Sequence, residues 1–102
     1  MSRCKITVLK TALFKDLAEQ RGKKPSFSVC PVFKEGDVFY TEEPFGTAMP
    51  EGFCHMAWHT LELPVSVIAG GGKFLGFEES TVASCMDGLR PVSFLIEKAS
   101  DN

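Results

Sequence analysis

Three cysteines of this chain sit where a backbone turns or an element begins: Cys30-Pro31-Val32-Phe33, Gly52-Phe53-Cys54 and Ser84-Cys85-Met86-Asp87-Gly88-Leu89-Arg90. Thiolates bind soft metals and iron–sulfur clusters, and three protein sulfurs with one open position make a chemically useful site. The expected metal ligands are therefore Cys30, Cys54 and Cys85, holding an iron–sulfur cluster or a zinc or iron ion for redox or small-molecule chemistry. Their wide spacings match no standard metal signature, and the chain contains no Cys-x-x-Cys. Free cysteine is also among the most buried residue types, so a non-catalytic oligomeric binding module with structural cysteines is the first alternative. A metal-free thiol enzyme using Cys85 or Cys54 is the other.

Other residues could share the site. Asp87-Gly88 favours a turn that folds Asp87 back toward Arg90. Arg90 could then grip a carboxylate or phosphate, or place a positive charge beside Cys85. The competing reading is an ion pair that fixes the turn. His55 and His59 stand four apart on a helix with Glu62 one turn on, but the metalloprotease pattern His-Glu-x-x-His is absent. A solvated helix face explains all three, although His55, next to Cys54, is a candidate fourth ligand. Trp58 reads as a core anchor of that helix, or, if exposed, as a ligand-stacking or interface residue. Gly70-Gly71-Gly72-Lys73 is a flexible turn: Phe74 stands where a phosphate loop needs Ser or Thr.

The elements that must position these residues follow from periodicity. Cys4, Ile6 and Val8 alternate with Lys5 and Thr7 in a half-buried strand over Cys4 to Lys10. Thr11 is expected to cap a helix from Ala12 to Arg21 that buries Leu13, Phe14, Leu17 and Ala18 and ends at Gly22. Lys23-Lys24-Pro25-Ser26 reads as a loop, and Pro31 makes Ser28 to Phe33 an edge or a turn. Val38 to Thr41 is a strand, and Glu42 to Pro50 a loop. A second helix runs from Pro50 or Glu51 to Leu63, with Phe53, Cys54, Ala57, Trp58 and Leu61 as its stripe. Pro64 should kink or end it, and Val65 to Ala69 fits helix or strand. Lys73 to Phe77 reads as a short strand, Glu78 to Ser80 as a turn, and Val92, Phe94 and Ile96 mark the last strand. Without regular βαβ alternation, the expected fold is α+β, a small mainly antiparallel sheet with two short helices in one domain.

At 102 residues, 44% hydrophobic and 24% charged, the composition is that of an ordinary globular domain. Nine Phe imply an aromatic-rich core. A small domain so rich in Phe is expected to bury a face in a homo-oligomer. The formal net charge of −2 gives no pull toward nucleic acid or anionic lipid, and Arg21 with Lys23-Lys24 reads as a solvated helix end. The first ten residues lack the apolar run of a signal peptide, and no stretch is long enough to span a membrane. A cytoplasmic protein with unpaired thiols is expected.

The segments Ile6-Thr7-Val8-Leu9-Lys10, Cys30-Pro31-x-Phe33-x-x-Gly36-x-x-Phe39, Pro50-Glu51-Gly52-Phe53-Cys54-x-x-Ala57-Trp58 and Cys85-x-Asp87-Gly88-Leu89-Arg90-Pro91-Val92-x-Phe94 together cover nearly the whole chain. In these motifs the chain resembles a family of short proteins common in anaerobic bacteria and archaea. The resemblance implies a shared fold and carries no activity with it. Where the family pattern has Cys-Cys, this chain has Ser84-Cys85, which removes a fourth thiol at that point.

Overall fold

The alternation that begins at Cys4 becomes the central strand of a sheet. The computed structural model describes residues 3–22 and 28–99. Strand β1 (Cys4–Thr11) pairs antiparallel with β2 (Val38–Tyr40) on one side and β6 (Val92–Lys98) on the other, and β5 (Ser80–Ser84) pairs with β6. The order of the four-stranded sheet is β2-β1-β6-β5. With helices α1 (Lys15–Arg21) and α2 (His55–Ala69) and a hairpin of β3 (Lys73–Phe74) and β4 (Phe77–Glu78), the architecture is α+β.

Because strand side chains alternate, one face of the sheet collects Cys4, Ile6 and Val8 from β1 and Val92, Phe94 and Ile96 from β6, all buried. Helix α2 covers this face with Ala57, Leu61, Val65 and Ile68, spaced by three or four residues along one side. The buried Thr41 locks the start of β1: its hydroxyl accepts from the Cys4 N–H at 2.9 Å and donates to the Gly46 carbonyl.

Several expected boundaries move, each for a physical reason. The first helix does not start at Ala12 and Thr11 does not cap it. Strand β1 continues to Thr11, and the N–H groups of Ala12 and Phe14 donate to the carbonyls of Pro91 and Leu89 at 3.0 and 2.8 Å. That extended pairing is incompatible with helix, so α1 begins at Lys15. Of its expected apolar face only Ala18 is buried, while Phe14 and Leu17 are exposed. Gly22 ends the helix in an extended conformation rather than a left-handed one. The loop expected at Lys23 to Ser26, with its basic cluster, lies outside the described residues.

The second helix starts later and runs further than expected. Residues 50–54 form a turn in which Gly52 takes φ +76, a conformation that suits glycine, and Cys54 becomes the N-cap. Pro64 does not end α2. A proline inside a helix costs about 3 kcal/mol. Leu61, Val65 and Ile68 are each fully buried, at roughly 1.5–3 kcal/mol apiece, so burial outweighs the defect and the helix reaches Ala69. The single strand expected at Lys73 to Phe77 is instead a hairpin. Leu75 and Gly76 both adopt positive φ, 52° and 84°, and reverse the chain between two short strands. Ser80, expected to end a turn, instead opens a full edge strand that runs to Ser84.

Candidate functional site: a cysteine-lined cleft

One aromatic cluster organises the site. Phe33 and Phe53 are buried, with ring centroids 5.1 Å apart, and Phe94 lies 5.1 Å from Phe33 and 5.6 Å from Phe53. Phe39 closes the cluster at 5.7 Å from Phe33 and 5.0 Å from Phe53. The tilted and edge-on ring geometries are the favourable ones for aromatic pairs. Each candidate cysteine is tethered to a member of this cluster. Cys30 precedes Phe33 by one turn of chain, Cys54 is bonded to Phe53, and Cys85 pairs across the strand with Val92, two residues before Phe94. Burying the rings therefore draws three segments, far apart in sequence, to one place.

That place is a cleft of about 520 Å³, lined by Cys30, Cys54 and Cys85. All four cysteines of the chain are unpaired thiols. Cys4 is the exception in position: it is fully buried in the core, where its thiol donates to the Val65 carbonyl at 3.6 Å. Burial pushes the Cys4 pKa up to about 11, partly offset by the charge of Lys98.

The Cys85 side of the cleft is the most constrained. The Cys85 N–H donates to the Val92 carbonyl at 3.0 Å, and the Val92 N–H donates back to Cys85 Sγ at 3.3 Å. Between them the chain turns on Asp87. Its Oδ1 accepts from the N–H groups of Leu89 and Arg90, both at 2.8 Å, and its Oδ2 accepts from Arg90 Nε at 3.2 Å. Burial alone would raise the Asp87 pKa. The Arg90 and Leu89 N–H groups, the Arg90 side-chain bond and the Arg90 charge outweigh it, so the carboxyl sits below its ordinary value. Asp87 and Arg90 both line the cleft, so the turn ion pair and the cleft wall are one structure. A further tether comes from α2: the Thr60 hydroxyl donates to the Ser84 carbonyl at 2.7 Å, beside Cys85.

The rest of the lining is apolar and rich in sulfur. Met56 and Met86 contribute thioethers, and Val32, Ala57 and Val92 supply hydrocarbon. The two methionines were not anticipated as site residues. Each lies within two positions of a candidate cysteine, and that proximity was the available signal. The histidines stand elsewhere: His55 is exposed at the first residue of α2, and neither histidine lines the cleft. His59 Nδ1 lies 3.8 Å from Glu62 Oε2 on an exposed face. Trp58 is half-buried, packs edge-on against Phe53 at 6.0 Å and lies outside the cleft lining.

Among the described residues, no group of three or more His, Cys, Asp or Glu side chains is arranged to hold a metal ion. The three thiols thus share a cleft without forming a closed ion cage. Among the described residues, no helix is long and apolar enough to cross a membrane. Comparison with protein-family models, curated proteins and solved structures gives no match, so the functional reading rests on the geometry of this site.

Proposed function

We propose that the cleft is the working site of the protein and that Cys30, Cys54 and Cys85 together bind a thiophilic centre, of which an iron–sulfur cluster is the best-fitting class. The observation that carries this reading is the meeting of three sequence-distant thiols in one roomy cleft whose wall, apart from Asp87 and Arg90, is hydrocarbon and thioether. A cluster has more than one metal atom, so its cysteine ligands stand further apart than those of a single ion. A cleft of about 520 Å³ has room for such a centre. When bound, such a centre supplies electron-transfer or Lewis-acid chemistry. The chain's own contributions are the three sulfurs, the Val92 N–H directed at Cys85 Sγ, and the Asp87–Arg90 pair that fixes the loop carrying Cys85. In a reducing cytoplasm the thiols stay available for this role.

The experiment is anaerobic reconstitution with iron and sulfide, followed by metal and sulfide analysis and a visible spectrum. Iron, sulfide and charge-transfer absorption are expected in the wild type and in Cys4→Ala, and are expected to be lost in Cys30→Ser, Cys54→Ser and Cys85→Ser. A second reading, metal-free thiol chemistry, is favoured by the absence of a closed ion cage among the described residues. Failure of reconstitution, together with selective reactivity of one thiol, would establish it instead. The structural-cysteine reading has its own support, since all three thiols pack partly buried against the core. It predicts neither a bound centre nor a reactive thiol.

A further inference from the structure

The sheet has a second face that α2 does not touch. On it the strand register lines up two rows. One is Val38–Thr7–Leu95–Val82, running from β2 across β1 and β6 to β5. The other is Tyr40–Lys5–Glu97–Ser80, in the same strand order. Val38, Tyr40 and Val82 are exposed by 45%, 42% and 53%. Arg3 reaches over Tyr40, its guanidinium carbon 5.3 Å from the ring centroid. Among the described residues, helix α1 packs little against any other element.

We infer that this face joins a second copy of the chain in a two-fold, sheet-on-sheet dimer. The pattern of the rows selects that occupant. Place a two-fold axis parallel to the strands and midway between β1 and β6, in the plane between two facing sheets. It exchanges β1 with β6 and β2 with β5 at constant height along the strands. Val38 then meets Val82 of the second copy at both ends of the apolar row, and Thr7 meets Leu95. In the other row Lys5 meets Glu97 of the second copy, twice over. Charge is self-complementary under this operation, and the exposed Val38 and Val82 at the row ends meet as apolar pairs. Four strands about 4.8 Å apart and five residues long give a footprint of roughly 300–400 Å² per copy. That is below the roughly 800 Å² per partner of a standard stable interface, so the dimer is weak and concentration-dependent.

Sedimentation equilibrium over a concentration series tests this with the full chain. A reversible monomer–dimer equilibrium is expected, weakened at least about tenfold by Val82→Lys, an exposed substitution that leaves the core intact; tenfold corresponds to 1.4 kcal/mol. Lys5→Glu and Glu97→Lys are each expected to dimerise less than wild type, and an equimolar mixture of the two to associate with one another. Circular dichroism spectra matching the wild type confirm that each variant is folded. A monomer up to the solubility limit would overturn the inference. So would a dimer indifferent to Val82→Lys and to the charge exchanges, because it would use another face.

Discussion

Cys85 and Val92 hold each other by two hydrogen bonds, the Cys85 N–H to the Val92 carbonyl at 3.0 Å and the Val92 N–H to Cys85 Sγ at 3.3 Å. This reciprocal pair closes the loop that carries Met86, Asp87 and Arg90 and sets it as one wall of the cleft. The thiol is thus held by the backbone rather than left on a free loop, with its sulfur already accepting one donor.

The turn inside that loop depends on Asp87. Asp87→Ala removes the acceptor of two backbone N–H groups and of Arg90 Nε. The expected loss is about 1–2 kcal/mol in urea unfolding, because bonds to a charged acceptor are the stronger kind and this one is partly exposed. The pH dependence has a definite sign. The folded pKa lies below the ordinary 3.8, so the carboxylate's contribution is complete above that value and is lost as pH falls through the folded pKa. Asp87→Ala should therefore lessen the loss of stability in that acid range.

Phe33 should matter as much as a core residue of a regular element. It is 3% exposed and contacts three other rings of the cluster, yet it belongs to no helix or strand. Phe33→Ala is expected to cost about 3–5 kcal/mol. It should also release Cys30 from the cleft. Thermal unfolding checks the first effect, and the alkylation rate of Cys30 relative to Cys54 and Cys85 checks the second.

Cys4 gives an alkaline test. Its folded pKa, near 11 against an ordinary 9.0, favours the neutral thiol. Its contribution is fully present below about pH 9 and is lost as pH rises through about 11, a total of about 2–3 kcal/mol. Urea midpoints measured across this range should fall in the wild type and fall less in Cys4→Ala.

Much of this arrangement could be read from residue types. Alternation located β1 and β6, and the spacing of Ala57 and Leu61 located the buried side of α2. The three cysteine segments could be named, but their meeting could not be derived, because it depends on which rings pack together. Phe33, in an irregular segment, carries no label in sequence that distinguishes it from the exposed Phe45 or Phe77. Two of the errors share one cause: tertiary pairing overrode a local signal. Phe14 and Leu17 had helical spacing, yet the backbone of Ala12 and Phe14 was claimed by Leu89 and Pro91. Pro64 signalled a helix end, but the residues beyond it had a core to enter.

The claim that Cys30, Cys54 and Cys85 serve one occupant is tested most directly by alkylation of anaerobically purified protein, with and without prior chelator treatment, read out site by site by mass spectrometry. The expected result is joint protection of these three thiols before treatment and joint labelling after it, with the buried Cys4 unlabelled in both. Independent labelling of the three at unchanged rates in both samples would contradict a shared occupant and leave the thiols as separate surface or packing groups.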